Sequence, residues 1–296
     1  MDILKDCTLC PRNCHINRYE KVGFCGASDK IKIAHYDLYY GEEPIISGKE
    51  GSGAIFFSHC NLKCIFCQNK KISLENYGKE ISEEKLYQIM LKLQSMGANN
   101  INLVTPTHYV PQIAKSIKKA KDKGLKIPIV YNTGSYENIE TIQLMNNLVD
   151  IYLADLKYFN NNLGIKYSSC KNYFEYATGA INEMYKQVGK YKIVNDLMMK
   201  GLIVRVLVLP GEIEDAKMII KYLYDTYKDN IIISIMNQYT PMDNNYEYNN
   251  LNRCVTEDEY NEVVNYAYDI GVRSAFIQEG ITQSKSFIPN FNCDNI

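Results

Sequence analysis

Tryptophan is absent from this 296-residue chain, and neither charge sign dominates: 33 Lys and Arg stand against 34 Asp and Glu, for a net charge of −1. That balance argues against a general polyanion binder, so no nucleic-acid partner is expected. No stretch approaches the ~20 apolar residues needed to cross a bilayer, and no membrane association is expected. Asp2, Lys5 and Asp6 occupy an N-terminus without the apolar core of a secretion signal, so the expected location is cytoplasmic. No Gly-x-Gly-x-x-Gly follows the first buried run, which weakens a dinucleotide-binding fold. Internal repeats are lacking, as are low-complexity tracts beyond Asn-rich loops such as Asn244 to Asn250. The missing tryptophan, beside 25 Tyr and abundant Asn, Ile and Lys, reads as coding bias and carries no function.

Hydrophobic residues make up 46% and charged residues 23%, enough to bury a full core. The length predicts one large domain, or one domain with a small appendage. Cysteine is more informative. Of ten, seven fall in the first 67 residues: Cys7, Cys10, Cys14, Cys25, Cys60, Cys64 and Cys67. In a reducing cytosol disulfides are disfavoured, and clustered thiols there bind metal or do redox chemistry more often. The scattered Cys170, Cys254 and Cys293 read as ordinary buried cysteines.

After Gly51-Ser52-Gly53 the pattern changes. Continuous apolar runs of strand length, Ala54 to Phe57, Ile101 to Thr105, Pro128 to Asn132, Ile151 to Leu156, Leu202 to Leu209, Ile231 to Met236 and Val272 to Ile277, suit a parallel sheet buried on both faces. Amphipathic segments lie between them. Leu86, Ile89, Met90 and Leu93 share one helical face behind Ser82 as N-cap, and Thr256 to Glu259 form a capping box. Right-handed crossovers would curl such a series into an α/β fold, a partial (β/α)6 TIM-like barrel. The expected organisation is a Cys-rich metal-binding N-terminal extension over 1–52, the barrel over 53–280 and a C-terminal tail over 281–296.

The first barrel strand runs into Ser58-His59-Cys60-Asn61-Leu62-Lys63-Cys64-Ile65-Phe66-Cys67, a Cys-x3-Cys-x2-Cys loop at a strand's C-terminal end, where barrel active sites sit. Three close thiolates can hold three corners of a [4Fe–4S] cube and leave one iron open, which turns an electron wire into a reaction site. Zinc is the bland alternative, but a lone three-Cys loop makes a poor closed zinc site. The upstream set, Cys7, Cys10, Cys14 and Cys25, can close a tetrahedral zinc site or hold an auxiliary iron–sulfur cluster. Its plain structural role would be to staple fifty residues of low apolar content.

With Phe66 before the third Cys, this loop and the α/β alternation after it resemble the radical S-adenosylmethionine (SAM) superfamily. The resemblance spans roughly residues 53–280. It implies that SAM chelates the open iron, that an electron from the reduced cluster cleaves the sulfonium C–S bond, and that a 5'-deoxyadenosyl radical abstracts hydrogen from the substrate. Within the superfamily, the chain is similar to activating enzymes of glycyl radical proteins, in the pyruvate formate-lyase activating enzyme-like branch. The supporting segments are Tyr131-Asn132-Thr133-Gly134, Asp155-Leu156-Lys157, Val204-Arg205 with Leu209-Pro210-Gly211, and Cys7-x2-Cys10-Pro11-Arg12-x-Cys14 with Asn17-Arg18 and Gly23-Phe24-Cys25-Gly26.

One segment departs from that branch's pattern. Activases place Gly-Gly-Glu-Pro after the second strand, where it receives the amino group of SAM. Here Thr105-Pro106-Thr107-His108 stands there without a carboxylate, so Thr107 or backbone carbonyls would accept the ammonium instead. The resemblance further implies cofactor contacts from Phe66, Thr107, His108, Asn132, Thr133, Asp155, Lys157 and Arg205. Lys157 would face the cofactor carboxylate. Asn132, Thr133 and Asp155 would form an oxygen-rich pocket for a monovalent cation or for SAM, and Arg205 would meet the cofactor carboxylate or a carboxylate of the barrel. The implied partners are a glycyl radical protein as substrate and a flavodoxin or ferredoxin as electron donor. The competing functions are radical modification of a small molecule or peptide, and a non-catalytic iron–sulfur or zinc module.

Overall fold

The computed structural model describes residues 2–242, 247–278, 289, 291, 293 and 295–296. The expected boundary at 280/281, most of the tail and part of the Asn244–Asn250 loop lie outside them. Among the described residues ten strands form one mainly parallel sheet: β1 (Ile31–Tyr39), β2 (Ser52–Phe57), β3 (Lys79–Ile81), β4 (Ile101–Val104), β5 (Ile129–Thr133), β6 (Ile151–Asp155), β7 (Lys192–Val194), β8 (Leu197–Leu207), β9 (Ile232–Met236) and β10 (Ala275–Ile277). The order is β10-β9-β8-β6-β5-β4-β2-β1-β3, with β7 hairpinned onto β8. Pairs from β2 through β10 are parallel, while β1 lies antiparallel to β2 and β3. Among the described residues β10 and β3 end the sheet without meeting, so the barrel is partial.

The helices are α1 (Pro44–Ser47), α2 (Lys70–Ser73), α3 (Glu83–Ser95), α4 (Val110–Asp122), α5 (Ile139–Gln143), α6 (Asn161–Ser168), α7 (Tyr173–Val188), α8 (Ile213–Tyr227) and α9 (Glu257–Asp269). Ser82 caps α3 by accepting from the Lys85 amide, and Thr256 with Glu259 closes the capping box of α9. No helix among the described residues is long and apolar enough to cross a membrane. The outer core lies between sheet and helices. Ile101, Leu103, Ile129, Tyr131 and Tyr152 pack there with Leu86, Ile89, Ile113 and Ile117, all fully or almost fully buried.

Inside the barrel the two-residue period of a strand sorts the side chains into layers. Val130, Leu153, Ile203 and Ile232 make an apolar lower layer around Ile46 of α1. Two residues further along the same strands stand Asn132, Asp155, Arg205 and Ser234, a polar layer above it. Burial of Ile46 in the lumen carries the preceding Glu42 and Glu43 into that polar layer. Residues 31–52 therefore belong to the sheet and the lumen, and the cysteine-rich segment is confined to residues 2–30, which hold neither helix nor strand. Cross-links tie that segment down: Arg12 donates to the Asn61 and Ser169 carbonyls, and Thr141 donates to the Leu9 carbonyl.

Candidate functional site

A cavity of about 250 Å³ opens at the C-terminal ends of the strands, with Cys60, Cys64 and Cys67 in its wall. The strand β2 is buried throughout and delivers the loop to this point. His59, just before the first cysteine, adopts a left-handed conformation (φ 76°), as do Thr105 (φ 61°) after β4 and Ser135 (φ 61°) after β5. Such conformations in non-glycine residues mark backbone held by its surroundings; Thr105 lines the cavity, and His59 and Ser135 adjoin the lining residues Cys60 and Gly134. Hydrogen bonds reach each thiol. Cys60 Sγ accepts from the Leu62 amide (3.4 Å), Cys64 Sγ from the Ser168 hydroxyl (2.9 Å), and Cys67 Sγ lies 3.3 Å from Ser73 Oγ. Burial pushes the Cys60 thiol far above its ordinary value and that of Cys64 up to about 11, against the pull of the Lys157 charge on Cys64. Thiols so buried become thiolates only with a strong cationic partner.

Across the cavity, a polar network links five strands, β4, β5, β6, β8 and β9. Asp155 accepts Arg205 Nε on one oxygen and Lys157 Nζ on the other, each at 2.7 Å. Arg205 also donates to Asn132 Oδ1 (2.7 Å) and lies 3.4 Å from Glu42. Glu42 in turn accepts from Asn102 and Asn132, and Glu43 accepts from Ser234. Burial raises Asp155, but the Arg205 and Lys157 charges outweigh it and hold the carboxyl below its ordinary value. Burial keeps Glu42 above its own, though Arg205 opposes it. With two cations already on Asp155, the expected oxygen-rich cation pocket has its charge neutralised from within.

Phe66, Thr107, Asn132, Thr133, Asp155, Lys157 and Arg205 all line this cavity. His108 does not. The single turn Thr107–Tyr109 sends Thr107 inward and His108 to the other side, where its Nε2 meets the Ser58 carbonyl (2.7 Å). Burial drops its pKa to about 3, so it is neutral. It lines a second, smaller cavity together with Cys7, Cys10, Cys14, Cys25 and Arg18. The four upstream cysteines thus converge, and no disulfide joins any of them. Among the described residues neither thiol set, nor any other His, Cys, Asp or Glu group, closes tightly enough to grip a single ion.

The family model described as the Radical SAM superfamily matches residues 54–223. The chain belongs to the radical SAM superfamily. An uncharacterized protein of Methanocaldococcus jannaschii, MJ0674, is 32% identical over 279 residues, covering 90% of this chain and 75% of that protein. Another protein of that organism, "Putative glycyl-radical enzyme activating enzyme MJ1227", is 31% identical over 109 residues, or 37% of this chain and 44% of that one. Among solved structures, Streptococcus suis SuiB bound to precursor peptide SuiA is similar at a TM-score of 0.51 and 12% identity. That match covers 75% of this chain and 47% of SuiB, so the chain spans about half of SuiB's length, and the likeness concerns the fold alone.

The residues present fit the groups this superfamily's name implies. Soft thiol donors meet at one side of the cavity, and cations, amides and hydroxyls line the other, with no carboxylate among the thiols to favour a hard ion. Sequence reasoning missed Glu42, Glu43 and Glu137. Glu137 is fully buried and its Oε1 accepts from Thr107 and Thr133 (2.6 Å each) and Tyr131 (3.2 Å). Its position three residues after Gly134 was the one available signal. Glu42 and Glu43 had none, because only the burial of Ile46 brings them inside.

Proposed function

We propose that this chain is an enzyme that reductively cleaves SAM, with Cys60, Cys64 and Cys67 as the three thiolate ligands of a [4Fe–4S] cluster. When bound, cluster and SAM together supply one-electron cleavage of the sulfonium C–S bond and hydrogen abstraction from a substrate. The observation that carries this reading is the meeting of the three thiols in the wall of one cavity whose far side is the Asp155, Lys157 and Arg205 network.

The chain's own residues have separable tasks. Ser168 and the Leu62 amide donate to sulfur and so orient the thiolates and tune the site's potential. Lys157, whose charge favours the Cys64 thiolate, and Arg205 present positive charge to a carboxylate. Thr107, Asn132 and Thr133 offer oxygens to N–H donors. Phe66 packs edge-on against Tyr167 and Tyr239 and helps keep water from the thiols.

The hydrogen donor proposed is a glycyl radical protein, supported by the partial relative named for that activity. The electron donor proposed is a flavodoxin or ferredoxin. Cys7, Cys10, Cys14 and Cys25 are proposed to hold a second metal, as an auxiliary iron–sulfur cluster or, with the four thiols drawn closer than they stand here, as zinc. The buried Arg18 guanidinium supplies positive charge beside those thiols.

The test is electron paramagnetic resonance of anaerobically reconstituted, dithionite-reduced protein with and without SAM, with an assay for 5'-deoxyadenosine. A signal that shifts on SAM addition, with deoxyadenosine formed, is expected. An unchanged signal without product would leave an electron carrier or metal-binding module.

A further inference from the structure

Behind the cavity wall, three hydroxyl groups converge on one carboxylate oxygen. Thr107, Thr133 and Tyr131 each point toward Glu137 Oε1, while Oε2 is buried without any partner among the described residues. Each threonine has a single hydroxyl proton, and at 2.6 Å that proton is committed to the carboxylate. Thr107 and Thr133 line the cavity, and with their protons on Glu137 their oxygens have only lone pairs to offer a ligand there. Thr133 has one lone pair occupied by the Ser135 amide (3.1 Å), which leaves one for a ligand. With Glu137 ionised, these two hydroxyls accept hydrogen bonds and have no proton left to donate.

The charge points the same way. Glu137 makes no ion pair among the described residues, and the tyrosines facing it, Tyr131 and Tyr152, are held protonated by burial. His108, next to Thr107, is neutral as well. A buried carboxylate with a bare oxygen and no cation is destabilising. Tying three hydroxyls together does not require it, since a glutamine carbonyl accepts too. A cation arriving on the cavity side of the two threonines supplies the missing countercharge.

We propose that Glu137 is a positioning residue that makes Thr107 and Thr133 acceptors for a primary ammonium group at the cavity wall. The proposal rests on the reading of the cavity as a SAM site, since the amino-acid end of SAM carries such a group. A residue that is nowhere in the cavity lining thereby contributes its charge through two hydroxyls.

The experiment is equilibrium binding to anaerobically reconstituted protein of two probes: SAM, and its desamino analogue with hydrogen in place of the α-amino group. Glu137→Gln preserves size and acceptor and removes the charge. It is expected to weaken SAM about tenfold and to leave the desamino analogue within about twofold. Thr107→Val should reproduce that selective loss, and Thr107→Ser should restore SAM binding. Iron content and thermal midpoint, measured beside these, register a merely structural role. Equal weakening of both probes, or no weakening of either by Glu137→Gln, overturns the proposal while the SAM site stands. Failure of the wild-type protein to bind SAM overturns the reading of the cavity and this proposal with it.

Discussion

Arg18 donates from Nη1 to the carbonyl oxygen of His108 at 2.5 Å, joining the cysteine-rich segment to the turn that places Thr107 in the cavity. Arg18 is 1% exposed, its other terminal nitrogen is bonded to the Ser28 carbonyl, and it makes no ion pair with a carboxylate among the described residues. A forked cation on two carbonyls fixes both chain segments at once. Arg18→Met is therefore expected to destabilise the protein by about 3 kcal/mol and to speed hydrogen exchange around residues 107–110. Arg18→Lys, a point donor that cannot reach both carbonyls, should not rescue it. A thermal midpoint and exchange rates matching the wild type would show the two segments to be independent.

Replacing any one of Cys60, Cys64 or Cys67 by Ala should abolish SAM cleavage and strip most of the iron from the barrel site, since a cluster with an open iron has only three protein ligands. Cys170 serves as the control. It is buried and donates its thiol to the Gly164 carbonyl, away from the cavity lining. Cys170→Ala should keep both iron and cleavage. Turnover surviving in any of the three cavity variants would remove the ligand assignment.

The strands, the barrel class and the three-Cys loop were legible because their signals are local: continuous apolar runs, a capping residue, a fixed spacing. Ala54 to Phe57 and Ile231 to Met236 were read nearly to the residue. The antiparallel β1 escaped because a stretch dense in cysteine and turns masks a strand that gains its place only by pairing with β2. The helix α7 escaped because its apolar face, Ala177, Ala180, Ile181 and Met184, is broken by small and polar residues. His108 was misplaced because which way a residue points within a single helical turn is set by packing, here on Ser58 and Arg18, and leaves no trace in spacing. The carboxylates of the lumen were invisible for the same reason.

Asp155 and Arg205 are opposed across β6 and β8 in register and joined at 2.7 Å, so each satisfies a charge that the other strands. Removing one member of a buried pair costs about 3–5 kcal/mol because the other remains uncompensated. Asp155→Asn and Arg205→Met should each fall in that range by urea unfolding, and the double variant should lose about 2 kcal/mol less than their sum. Strict additivity would mean that the network is not coupled. Because the Asp155 carboxyl lies below its ordinary value, its contribution is present above the unfolded-state pKa and is lost as the pH falls through the folded one.

Glu137 has the opposite sign. Burial pushes its carboxyl from 4.5 up to about 7, although hydrogen bonds from Thr107, Thr133 and Tyr131 pull it down. Between those values the native state holds a proton that the unfolded chain has released, so stability falls as pH rises. The penalty is absent below about pH 4.5 and complete above about pH 7, where a shift of this size is worth about 3 kcal/mol. Glu137→Gln has nothing to titrate. In urea unfolding of the SAM-free protein it should match the wild type near pH 5 and exceed it increasingly toward pH 8. A constant difference between the two proteins across that range would show that the carboxyl titrates outside it. A destabilising charge kept at this one position is what a ligand-facing role explains, because the group that relieves the penalty is the ligand itself.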